Sequence, residues 1–156
     1  MDVVIFNMAG RQLAVEVSRV REVVNPGEIT PIPDIPPYIK GVINYRGEVV
    51  VIVSLAEKFG FQDSTEDASS RAIIYKVGDR TVGFLVQEIT EVTSFNREEV
   101  ETPDGVLKDA GYLDGVVRFR DGLVLLMDMA KTLAEEDLID LDEIIERVEI
   151  IFSEKE

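Results

Sequence analysis

The sequence predicts a mainly β protein: two tandem five-stranded small barrels with short helices, followed by a C-terminal helix. Three observations carry this. The chain repeats itself, each repeat is made of short β-branched runs joined by tight turns, and the last stretch has helical periodicity.

The repeat comes first. Residues 3–24, VVIFNMAGRQLAVEVSRVREVV, lie without a gap over residues 72–93, AIIYKVGDRTVGFLVQEITEVT, at a shift of 69. Ile5/Ile74, Arg11/Arg80, Val17/Val86, Glu22/Glu91 and Val23/Val92 are identical. Residues 38–59, YIKGVINYRGEVVVIVSLAEKF, lie over residues 112–133, YLDGVVRFRDGLVLLMDMAKTL, at a shift of 74. Here Tyr38/Tyr112, Gly41/Gly115, Val42/Val116, Arg46/Arg120, Val50/Val124 and Ala56/Ala130 coincide. The change of shift places about five extra residues in the second copy near residues 103–111, where a loop tolerates them best.

Within each copy the turns mark hairpins. Ala9-Gly10-Arg11 separates VVIFNM from QLAVEV, and Gly78-Asp79-Arg80 separates AIIYKV from TVGFLV. Arg46-Gly47 joins GVINY to EVVVIV, and Arg120-Asp121-Gly122 joins GVVRF to LVLLMD. Pro31, Pro33, Pro36 and Pro37 keep the approach to the second hairpin extended. SLAEKFG and MAKTLAEE read as helical, the former ending at Gly60. Short strands in units this small cover a core best by closing on themselves. The expected units are therefore a first barrel over residues 1–61 and a second over 71–133, with residues 62–70 as linker. Residues 134–156 form an acidic C-terminal helix. It carries ten acids against Arg147 and Lys155, a net of −8, and apolar residues at 138, 139, 141, 144, 145, 148, 151 and 152. That helix either covers a barrel seam or binds a partner.

Composition excludes much chemistry. The 156 residues contain no cysteine, histidine or tryptophan, which removes disulfides, thiolate metal sites, thiol nucleophiles and every triad that needs imidazole. A net charge of −15 argues against nucleic acid and anionic membranes as partners. No apolar run is long enough to span a membrane, and MDVVIFNMAG lacks the pattern of a secretion signal. Asp137, Asp140, Asp142 and Glu143 cluster without the spacing of a calcium loop, and they suit a solvated helix start. No phosphate-cradling glycine motif occurs, so no cofactor and no metal is expected. A carboxylate-dependent hydrolase remains the rival from another class, although nothing singles out its two acids.

One constellation exceeds what folding needs. The tip Tyr38–Gly47 keeps Gly41 and Arg46 in common with its counterpart, but Asn44 becomes Arg118 and Gly47 becomes Asp121. Arg46 offers a planar fork of donors, and Glu22 is a candidate acceptor if the strands are neighbours. VREVV, followed by ITPIPDIPPYIKGVINYRGEVVVIVSLAEKFG, resembles CheW-type chemotaxis coupling proteins, and the second copy resembles the latter half of that family. The resemblance covers roughly residues 3 to 133. It implies two SH3-like barrels with a hydrophobic core between them and no enzymatic activity. It also implies a cytoplasmic adaptor, recruited to receptor arrays at the inner face of the membrane without inserting into it. There it links methyl-accepting chemoreceptor tips to the regulatory domain of the histidine kinase CheA. A kinase regulatory module outside chemotaxis is the neighbouring alternative. The matching positions are Glu22, Arg46 and Gly47, with Val20, Gly41 and Asn44 in the same motifs, and a kinase-facing surface near Val17, Lys40 and Val49. Two features depart from the family: Gln87 follows Val86 where aspartate is frequent, and the acidic segment after Leu133 is long.

Overall fold

In the computed structural model, which describes residues 1–61, 67–103 and 111–154, ten strands and two helices follow one another in the expected order. The first copy supplies β1 (Asp2–Met8), β2 (Arg11–Glu16), β3 (Val20–Val24), β4 (Ile39–Tyr45), β5 (Glu48–Ser54) and α1 (Leu55–Phe59). The second supplies β6 (Arg71–Val77), β7 (Arg80–Val86), β8 (Glu88–Ser94), β9 (Leu113–Phe119) and β10 (Gly122–Met127), and α2 (Glu135–Glu154) ends the chain. The stretch expected to hold the insertion, and most of the linker, lie outside the described residues.

The hairpins form where the turn residues placed them. Ala9 and Gly10, Arg46 and Gly47, and Arg120 and Asp121 all have positive φ, the two-residue turn whose twist matches the flanking strands. Ser54 caps α1 by accepting from the Glu57 N–H, and Gly60 closes it at φ 75°. The second helical segment differs from expectation. Met129–Thr132 is only a 3-10 turn, and the long helix starts afresh at Glu135.

The strands do not sort by copy, and this corrects the division at residues 1–61 and 71–133. One five-stranded sheet runs β3-β6-β7-β5-β4 and the other β8-β1-β2-β10-β9. Each copy thus lends its first hairpin to the barrel of the other. The first barrel is β3–β5 closed by β6 and β7; the second is β8–β10 closed by β1 and β2. The cause is local. Only Val17–Arg19 separates β2 from β3, a 3-10 turn without a positive φ, and only Gln87 separates β7 from β8. Neither link can reverse the chain tightly enough to lay the next strand beside the last. The chain passes into the other sheet instead, and the free edges of β2 and β7 take parallel partners in β10 and β5.

A duplicated device closes each barrel. Thr30 pairs with Val42 in the first, and Glu101 with Val116 in the second, through reciprocal backbone hydrogen bonds of 2.9–3.0 Å. The residue before each partner is a glycine for that reason. A Cβ on Gly41 would meet the Thr30 carbonyl oxygen at 2.1 Å, and one on Gly115 would meet Val100 at 2.3 Å.

Strand alternation then divides the core into three. Val3, Ile5, Ala14, Val117, Val124 and Leu126 fill the second barrel, and Ile43, Tyr45, Val50, Ile52, Ile74 and Leu85 the first. The opposite faces, among them Val4, Phe6, Leu13, Val15, Val51, Ile73, Tyr75 and Phe84, meet in a central cluster between the barrels. The helix α2 adds Leu141, Ile144 and Val148 to that cluster while packing on β5, so it serves as a cover. Two ion pairs hold it: Lys58 with Asp137 at 2.5 Å, and Arg80 with both oxygens of Asp142 at 2.8 Å.

Candidate functional site

The β4–β5 tip and β3 meet at the seam where the first barrel closes. Tyr45 has its ring in the barrel interior and donates its hydroxyl to Glu22 Oε2, the same oxygen that Arg46 reaches at 2.9 Å. The carboxylate takes both donors, and its hold on the phenol proton raises the Tyr45 pKa. Arg46 lies 5.4 Å from the centre of the Tyr45 ring. Arg21 lies 5.6 Å from the same centre and 3.6 Å from Glu48. The arginines are well exposed, Arg46 by 70% of its side chain, so these pairs add little stability. Their arrangement brings two exposed guanidinium groups beside the buried ring of Tyr45.

Glu22, Arg46, Gly47 and Asn44 come together as anticipated. Asn44 accepts the Gly47 N–H at 2.9 Å, which braces the turn that presents Arg46. Gly41 has a packing reason of its own, the barrel closure described above. Val20 and Val49 are half-buried against the central cluster. Val17 is exposed on the crossover turn, and Lys40 lies at the far end of β4, 3.6 Å from Glu57 on α1. From Lys40 to Asn44 the strand extends about 13 Å, so Lys40 belongs to a different part of the surface.

The second barrel carries the same clasp. Glu91 receives two bonds from Arg120, at 2.6 and 3.2 Å, and Arg120 lies 4.6 Å from the Phe119 ring centre. Both turns have the same backbone form despite the change from Gly47 to Asp121. The divergence at the tips is therefore one of surface chemistry, with folding satisfied in both. Phe119 has no hydroxyl, Thr90 stands where the first copy has Arg21, and Arg118 faces Glu101 instead of bracing its turn. Sequence reasoning missed Arg21 and Tyr45, although both flank residues it singled out.

Buried acids are engaged elsewhere. Asp128 accepts from Arg19 at 2.9 Å, from the Tyr75 hydroxyl at 3.2 Å and from the Ala130 N–H at 3.0 Å. Burial, then the nearby Asp128 charge, raises the Tyr75 pKa, and Asp128 also raises that of Arg19. Asp137 caps α2 through the Ala134 N–H and pairs with Lys58. Burial would raise its pKa, but these donors bring it below the usual carboxylate range. Each buried acid has a structural partner, and among the described residues no group of acids is placed to hold a metal ion. No helix among them is long and apolar enough to cross a membrane.

The family model of the CheW-like domain matches residues 2–137. The chain belongs to the CheW-like family. Curated relatives agree. The chemotaxis protein CheW of Klebsiella aerogenes is 29% identical over 142 residues, covering 90% of this chain and 86% of that protein. The Bacillus subtilis protein of the same name is 29% identical, with 85% and 86% covered, and that of Treponema pallidum 26%, with 86% and 83% covered. Among solved structures, the scaffolding protein TtCheW of Thermoanaerobacter tengcongensis superposes with a TM-score of 0.79 at 26% identity, covering 87% of this chain and 89% of its own. As a member of this family of chemotaxis scaffolds, the chain is a non-catalytic adaptor with an SH3-like double-barrel fold. The family match ends at residue 137, so most of α2 lies beyond it.

Proposed function

We propose that this CheW-like protein links the cytoplasmic tips of methyl-accepting chemoreceptors to the regulatory domain of the histidine kinase CheA, and acts in the cytoplasm at receptor arrays. The observation that carries the reading is the clasp at the first-barrel seam, where the exposed Arg21 and Arg46 flank Glu22 and the buried Tyr45. Its two guanidinium groups and half-buried carboxylate offer directional hydrogen bonding at a rigid turn braced by Asn44 and Gly47. Val20 and Val49 pack on the central cluster and Gly41 against Thr30, while Val17 and Lys40 lie on other parts of the surface.

The adaptor works as a stiff body. Two barrels locked through one central core transmit a change of docking geometry instead of absorbing it, and the coupling between partners is limited by the difference in affinity for their two states. The test is a pull-down of a CheA regulatory domain and of a receptor cytoplasmic fragment, comparing wild type with Arg46→Glu. Loss of one partner with retention of the other assigns the clasp to that partner. Undiminished capture of both overturns the assignment.

A further inference from the structure

The helix that roofs the first barrel carries apolar residues on its outer side as well. Leu141, Ile144 and Val148 face the barrel and are buried. At about 100° per residue, Ile139 and Ile150 fall within about 20° of each other on the opposite side of α2, about 17 Å apart along its axis. They are 57% and 51% exposed, and Ile151 at their flank is 48% exposed. Between them on the same line stand Glu143 and Glu146, both exposed. Ile139, Glu143, Glu146 and Ile150 are spaced i, i+4, i+7 and i+11, the spacing by which one helix meets another along a coiled-coil seam. All four lie beyond residue 137, where the family match ends.

Charge says what such a seam takes. Asp137 and Asp142 are paired with Lys58 and Arg80, whereas Glu143, Glu146 and Glu149 have no ion pair among the described residues. Arg147 is the single cation between Glu135 and Glu154. Glu143 and Glu146, three residues apart, repel each other, and the last turn of α2 has no cation to answer the helix dipole. A second copy of α2 would set glutamate against glutamate in the middle of the seam, so charge disfavours self-pairing. Lysine or arginine at those two positions of a partner would neutralise them. We propose that the outer face of α2 docks a basic helix of another protein, apolar at the two ends of its seam and carrying lysine or arginine at the two middle positions. This face is separate from the Arg46 clasp and does not depend on its assignment.

The probe is a synthetic alanine-based helical peptide with leucine, lysine, lysine and leucine at the four seam positions. It is titrated against the full chain in physiological salt and read by fluorescence anisotropy, beside a control peptide of the same composition in scrambled order. Saturable binding is expected, favouring the ordered peptide about tenfold or more. That preference should vanish with Glu143→Lys and Glu146→Lys together, and with Ile139→Asp, and persist with Arg46→Glu. Ile139, Glu143 and Glu146 are exposed, so these variants should keep the urea midpoint of the wild type, which separates lost docking from lost folding. Absence of saturable binding overturns the proposal. Equal binding of the two peptides also overturns it, because the net charge of −15 then attracts any cation. So does a preference that survives the double substitution. Sedimentation of the full chain supplies the remaining arm: self-association abolished by Ile139→Asp gives the face to a second copy of this chain and overturns the choice of a foreign helix.

Discussion

Replacing Asp128 by alanine tests whether the two barrels are joined by polar chemistry as well as by apolar packing. Asp128 follows β10, in the second barrel, and its side chain is 4% exposed. It accepts from Arg19 on the crossover turn, from Tyr75 on β6 of the first barrel, and from the Ala130 N–H. Three losses follow on truncation. The Tyr75 hydroxyl, on a fully buried residue, is left without an acceptor at about 1–3 kcal/mol. The cap of the 3-10 turn is lost at about 1 kcal/mol. The Arg19 pair adds no more than about 1 kcal/mol, because that guanidinium is 49% exposed and can be rehydrated. The expected cost is about 2–5 kcal/mol in urea unfolding followed by circular dichroism. Tyr75→Phe alone should cost about 1 kcal/mol, and the double variant less than the two singles together, since it leaves no orphaned hydroxyl. A cost below about 1 kcal/mol for Asp128→Ala, or strict additivity in the cycle, would refute this account of the junction.

Three further outcomes are expected. Gly41→Ala should destabilise by about 3 kcal/mol or more, and by more than Gly115→Ala, because the first Cβ meets a backbone carbonyl at positive φ and the second meets a movable valine; parallel urea titrations decide this. Glu22→Gln should change stability by less than about 1 kcal/mol while weakening partner capture, so a variant that unfolds instead would mark Glu22 as structural. Acid should loosen α2 before the barrels. The Asp137 and Asp142 pKa values are lowered in the folded state, so their stabilisation is full above the unfolded carboxylate value near 4 and is lost as pH falls through the folded values. Hydrogen exchange in Glu135–Glu154 should rise first below about pH 4, with a flatter profile for Asp137→Asn.

Much of the fold was legible because it is local. Hairpin turns, the Gly60 stop and the stripe of α2 are decided by neighbours within a few residues, and the eight hairpin strands emerged where the β-branched runs placed them, whereas β3 and β8 had been counted without being placed. The repeat showed that two segments are alike, yet likeness does not say which strand pairs with which. That depended on links too short to turn, at Val17–Arg19 and Gln87, whose effect is geometric. The site divided the same way. Arg46, Gly47 and Asn44 share one turn and were found together, and Glu22 was reachable because the Glu91–Arg120 pair recurs. Asp128 was not, since its partner Arg19 lies 109 residues away and the other copy has Ser54 and Glu88 at the matching positions. Gly41 was read as a partner residue when its first duty is to admit the Thr30 carbonyl.

The exchanged hairpins make each barrel a joint possession of both halves of the chain. Neither repeat can satisfy its own sheet edges: without β6 and β7 the strands β3 and β5 lack inner partners, and without β1 and β2 so do β8 and β10. A single repeat would complete itself only by pairing with a second copy, giving the same two barrels with two-fold symmetry. The present molecule is such a pair on one thread. Being on one thread, it has been free to make its ends unlike: one barrel roofed by α2, the other not covered by any helix among the described residues, one arginine clasp with a tyrosine, the other with a phenylalanine. Two faces that symmetry would have kept identical can thus answer to different neighbours.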